Sequence, residues 1–226
     1  MTQFWNNLRR VILLTSLLAI GGCSAAGLVA YGASGTPKIK AKYVPAKVST
    51  LVLVESYGSA GDATLDADQL GYALVRELKD HQVAQILDPQ LLEKLREQDQ
   101  EKYDKMTIDG IGRALGAKQV IYVNVLQAEI DAPTGSGSAR GSITAVVRVV
   151  DAASGETRYP LDSRDGALLQ IKTPWLHSDS PLPTRPDVHQ DMVARMADDI
   201  GKLFYDWTPD DDQQTSPQPG PDESTS

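Results

Sequence analysis

The chain has one cysteine, three histidines and fewer basic than acidic residues, and each shortage closes off a class of function. A single thiol excludes an internal disulfide framework, a cysteine-rich zinc site and a CxxC redox motif. Lys and Arg number 22 against 30 Asp and Glu, for a formal net charge of −8, so no positive surplus exists to neutralise the phosphates of a nucleic acid. The histidines, His81, His177 and His189, are far apart in the chain. His81 sits at an expected helix end, where a cation suits the dipole. His177-Ser178-Asp179-Ser180 puts three triad residue types side by side in a loop, but neighbours in sequence do not aim at one another as a triad requires. Gly110, Gly112 and Gly116 follow a GxGxxxG spacing ahead of a strand, not the GxGxxG that joins a strand to a helix in a dinucleotide site. Asp62, Asp66 and Asp68 read as a helix cap and solubilising charge, and the acidic run Asp210–Asp212 lacks the turn glycine and spaced ligands of a calcium loop. The residues therefore indicate no enzyme, no metal and no cofactor.

What is present begins at the amino terminus. Arg9 and Arg10 precede an apolar run of ten residues, VILLTSLLAI, and then two small residues, Gly21 and Gly22, as in a secretory signal. Ile20-Gly21-Gly22-Cys23 resembles a bacterial lipobox, with Gly21 in place of the commoner Ala or Ser. The resemblance implies lipidation of the Cys23 thiol, cleavage before it and acylation of the new terminus. Two or more chains are what stable anchoring needs, at roughly 0.8 kcal/mol per buried CH₂. Residues 1–22 are then a signal peptide. An uncleaved signal anchor is the alternative, since 11–31 carry no charge and match a bilayer in length. In both cases the bulk of the chain lies outside the inner membrane, facing the periplasm. Ser24 after the cysteine resembles the outer-membrane sorting pattern of diderm cells.

Residues 23–47, rich in Ala, Gly, Lys and Pro, read as a flexible tether, and 208–226 as a disordered acidic tail without large apolar residues. Between them lies one expected domain, 48–207. Thr50–Val54 is a strand covered on both faces. Leu70, Leu74 and Leu78 mark an amphipathic helix, and Val83–Leu87 a second strand. Asp88-Pro89 opens a helix to about Gln98, Thr107 caps another, and Gly116 ends it. Gln119–Leu126 is a third strand, apolar after Gln119 except for Asn124. Ile143, Ala145, Val147 and Val149 alternate with Ser142, Thr144, Val146 and Arg148 in a half-buried antiparallel strand. Asp151–Glu156 is a hairpin turn, Ala167–Lys172 a strand, and a last helix carries Val193, Met196, Ile200, Leu203 and Phe204. The order βαβααβββα predicts a single α/β domain with helices on a mixed parallel and antiparallel sheet.

Two segments resemble known proteins. Ile111–Tyr122, IGRALGAKQVIY, and Val149–Glu156, VVDAASGE, are similar to the helix–Leu-Gly-Ala–strand unit and the strand-turn-strand signature of a group of bacterial envelope proteins. These are the curli-secretion lipoprotein, the lipoprotein activators of penicillin-binding proteins and the amino-terminal domain of TolB, whose fold is anticodon-binding-domain-like. The resemblance implies a non-enzymatic accessory or scaffold protein that docks an envelope protein partner, with a subunit of an oligomeric secretion or export complex as the alternative. Trp175, in a Pro- and Ser-rich loop, is the candidate docking residue, and Trp207 is read as closing the core.

Overall fold

The computed structural model describes residues 38–56, 67–133, 137–163, 165–177 and 185–209. The signal, Cys23, Asp62, Asp66, Ser178–Ser180 and everything after residue 209 lie outside the described residues.

Lys40–Asp206 forms an α/β unit. Its strands are β1 (Ser49–Ser56), β2 (Gln85–Ile86), β3 (Gln119–Asp131), β4 (Ser138–Asp151), β5 (Thr157–Tyr159), β6 (Ala167–Lys172) and β7 (Leu176–His177). Its helices are α1 (Ala67–Asp80), α2 (Gln90–Gln98), α3 (Gln100–Tyr103), α4 (Ile108–Ala114) and α5 (Arg185–Gly201). The sheet runs β2-β1-β3-β4-β5, with β6 and β7 also on β4. β2, β1 and β3 are parallel, and β3 to β4 is antiparallel, so the sheet is mixed as expected.

Local chemistry sets the boundaries. The Thr107 hydroxyl accepts from the Gly110 N–H at 3.2 Å and starts α4. Gly116, at φ +73°, ends that turn without the steric penalty a Cβ would bring. The Asp88 carboxylate accepts from the Gln90 N–H at 3.0 Å at the head of α2. In the β4–β5 turn the Asp151 carboxylate accepts from the N–H groups of Ala153 (2.9 Å) and Ser154 (3.0 Å), and Gly155 takes φ +74°.

Several expectations change. The second strand shrinks from Val83–Leu87 to two residues, because only Ser49 and Thr50 of β1 pair with it. The charged segment after α2 contains a further short helix, α3, capped by Asp99, whose carboxylate accepts from Lys102 N–H. The β3–β4 ribbon extends five residues past Leu126, since a bulge between Val125 and Gln127 shifts the register. Before the bulge Val123 and Val125 face the core, and after it Ala128 does, so the alternation resumes in a new phase.

Residues 40–47, expected within the tether, are fastened to the unit. Tyr43 N–H donates to the Leu203 carbonyl at 3.0 Å, Lys40 pairs with Asp206 at 2.7 Å, and the Tyr43 ring stacks on Tyr159 at 5.5 Å. A second unit comprises Met1–Ile39 and Trp207–Ser226. Within it, Ile39 and Trp207 exchange backbone hydrogen bonds of 2.8 and 3.1 Å, and Trp207 is half-buried.

The sheet divides the hydrophobic residues of the α/β unit into two clusters. On one face Val52, Val54, Ile121, Val123, Ile143, Ala145 and Val147 meet α1 through Leu70, Leu74 and Leu78 and α5 through Val188, Met192 and Met196. On the other, Leu51, Leu53, Val120 and Tyr122 meet Leu92 of α2, Tyr103 of α3 and Ile111 of α4. Helix α5 comes so close to β4 that a Cβ at Gly141 would lie 1.9 Å from Met192 Sδ.

Candidate functional site

The second sheet face is covered only in part. Alternation from Ile143, Ala145 and Val147, which are fully buried on the first face, puts Thr144, Val146 and Arg148 on the second. Thr144 pairs with Gln170 of β6 and Val146 with Leu168. Leu168 is 68% exposed, and Leu126 at the bulge is 43% exposed. The helices α2 to α4 therefore cap the β1–β3 end of this face and leave its β4–β6 end open.

Trp175 lies at one end of the open area. The preceding Thr173 is buried and locked to β4, donating its N–H to the Gly141 carbonyl (2.9 Å) while its hydroxyl accepts from the Gly141 N–H (2.9 Å). On the other side, Leu176 and His177 pair with Ala139 and Ser138. Trp175 is thus held between two fastened points and remains 37% exposed. The Arg140 guanidinium sits 4.4 Å from its ring centroid and pairs with Asp131 at 3.2 Å. An aromatic presented in one orientation costs less ordering when a partner covers it.

At the other end of the face is an open groove of about 380 Å³ between α4 and the β3–β4 ribbon. Tyr122 and Arg148 form its floor, Ile108 and Ile111 one wall, and Gly155 and Thr157 of the hairpin the other. Arg148 is paired in register with Tyr122, and its guanidinium lies 5.0 Å from the ring centroid. Its Nε is buried and meets no hydrogen-bond partner. The loop before β6 confines the stem, since a Cβ at Gly166 would lie 2.8 Å from Arg148 Cγ. Two acids line the groove, Glu55 and Asp109. The Thr107 hydroxyl, and after it Arg113 at 2.5 Å, hold the Asp109 carboxyl below the ordinary carboxylate range.

The other residues singled out in the sequence have structural roles. Gly110 takes the Thr107 cap, Gly112 packs where a Cβ would meet Val120 Cγ2 at 2.7 Å, and Gly116 is left-handed. Asp68 pairs with Arg96 at 2.8 Å. His81 bonds Glu77 at 3.1 Å and stacks on Tyr205 at 3.6 Å, while His189 is half-buried on α5. These groups are not brought together, and among the described residues no three His, Cys, Asp or Glu side chains form a metal-binding group. Arg148 was visible in the sequence only as the polar side of an alternating strand. Its signal is an arginine with valines at both flanks and a tyrosine opposite, a pairing that needs the register to be known.

Among the described residues no helix is long and apolar enough to cross a membrane. No protein-family model matches the chain, and no curated protein does. Among solved structures the chain is similar to the lipoprotein GNA1162 of Neisseria meningitidis, at 12% identity over 68% of this chain and 97% of that one, with a TM-score of 0.44. It is also similar to PelC of Paraburkholderia phytofirmans, a dodecamer, at 13% identity over 75% and 96% of the two chains (TM-score 0.37). The carboxy-terminal domain of LpoB from Salmonella enterica is similar at 17% identity over 61% and 88% (TM-score 0.34).

Proposed function

We propose that this chain is a non-enzymatic, lipid-anchored protein of the bacterial cell envelope that faces the periplasm and docks another envelope protein. The observation that carries the reading is Ile20-Gly21-Gly22-Cys23, placed directly after an apolar run of ten residues that Arg9 and Arg10 precede. Cys23, the single cysteine, is the attachment point, and the outer membrane is the favoured leaflet. The sequence between Cys23 and Lys40 spaces the α/β unit from the bilayer. The unit is of the anticodon-binding-domain-like class, a reading supported by the Ile111–Tyr122 and Val149–Glu156 segments and by the parallel-then-antiparallel strand order. Docking uses the open sheet face, with Trp175 as its anchor. A half-exposed tryptophan held rigidly beside an arginine is the kind of residue that dominates interface energetics.

Intact-mass spectrometry of the chain extracted from membranes tests the anchor. The expected species begins at Cys23 and carries added acyl mass, and Cys23→Ser abolishes both changes. A chain that still begins at Met1 with no added mass contradicts the proposal.

A further inference from the structure

The groove between α4 and the β3–β4 ribbon contains a cation that the fold leaves partly unused. Burying the Arg148 Nε–H without an acceptor carries a desolvation cost that a satisfied surface arginine avoids. The side chain is also restrained, with Tyr122 under the guanidinium and Gly166 against its stem. Arg148 lines an open groove of about 380 Å³, where a restrained cation is suited to holding an anionic group.

We propose that this groove is a binding site for a monocarboxylate joined to an apolar group, with Arg148 as the residue that takes the carboxylate. The groove's other charges select that class. Asp109 is already engaged by Thr107 and Arg113, and Glu55 stands on β1, opposite Asn124. From β1 to β4 is two strand spacings, about 10 Å, so Glu55 leaves room for an anion at Arg148. Arg148 offers one positive charge, which a single carboxylate matches and a dianion such as phosphate exceeds. Ile108, Ile111 and Val150 form the apolar wall beside it. The carboxylate has two possible sources, the terminus or acidic side chain of a peptide and a free small carboxylate. The site is independent of the lipid anchor, so failure of one leaves the other standing.

The test uses the full chain in detergent and follows the backbone amide signals of Gly155 and Thr157 by NMR. Probes are N-acetyl-leucine, its neutral amide, inorganic phosphate and the peptide acetyl-Ala-Ala-Leu. N-acetyl-leucine is expected to shift these signals saturably. The amide and phosphate are expected to bind at least about tenfold more weakly, the loss typical of removing a charge-assisted hydrogen bond. Arg148→Met is expected to cause the same loss, while Arg76→Met at an exposed position on α1 leaves binding unchanged. Arg148→Lys, which keeps the charge but lacks the planar guanidinium fork, is expected to bind more weakly than the parent and guards against a Met variant that fails to fold. Tighter binding of the peptide assigns the source to a protein segment, and equal binding assigns it to a free carboxylate. Binding of acid and amide alike, preference for phosphate, no saturable shift, or full affinity in a folded Arg148→Met chain would each overturn the proposal.

Discussion

The two faces of the sheet are built from the same strands and finished differently. On the first, two helices of 14 and 17 residues, α1 and α5, cover β1, β3 and β4 with leucine, valine and methionine that are almost fully buried. On the second, three helices of nine residues or fewer cover only the β1–β3 end. All three buried side-chain polar atoms without a partner among the described residues belong to this second side: Tyr103 Oη, Asn124 Oδ1 and Arg148 Nε. The Tyr103 phenol is pushed up by burial, with the Arg96 guanidinium, 5.2 Å from its ring centroid, working against that shift. The larger buried cluster lies on the first face. The second retains exposed leucines, a fixed tryptophan and a groove, features that a purely structural surface would not need.

The largest test of the contrast is truncation. Leu74→Ala on the sealed face is expected to lower unfolding free energy by about 2–5 kcal/mol, the cost of lost burial plus a cavity. Leu168→Ala on the open face is expected to change it by less than about 0.5 kcal/mol. Urea titration measures both, and equal losses would erase the distinction. Overpacking comes next. Gly141→Ala drives a Cβ into Met192 and is expected to cost about 1–3 kcal/mol in the same titration. Asn124→Leu removes a buried unpartnered oxygen from the second face and is expected to raise the urea midpoint, by about 1 kcal/mol in free energy.

The smallest effect belongs to the hairpin bordering the groove. The Ser154 N–H first, with Arg158 next, holds the Asp151 carboxyl at about 2. A folded pKa below the unfolded value, near 3.9, contributes stability that is complete above about pH 4 and fades as pH falls towards 2. Asp151→Asn is expected to flatten that part of the stability–pH curve, which thermal melts between pH 2 and 6 will record.

Much of the fold was legible because local rules agree with tertiary packing. The Leu70, Leu74, Leu78 spacing, the Thr107 cap and Gly155 in the turn each appear where the residues placed them. What escaped notice has a physical reason. The Val125–Gln127 bulge resets the two-residue period, so the expected strand stops at Leu126. Tyr43 and Lys40 are tied down by partners more than a hundred residues away, which composition cannot reveal. For the site, Trp175 was marked by its residue type, but its restraint by Thr173 and Arg140 depends on pairing with β4. Arg148 was hidden by alternation, since its importance comes from what does not reach its Nε.

The central claim is that this protein meets its partner through the open face. Site-specific photocrosslinking in the native envelope tests it most directly, with the photoreactive group placed in turn at Leu168, at Trp175 and at Arg76, an exposed position on α1. The account predicts a discrete protein adduct from Leu168 and Trp175 and none from Arg76. Adducts from Arg76 alone, or equal yields at all three positions, would contradict it.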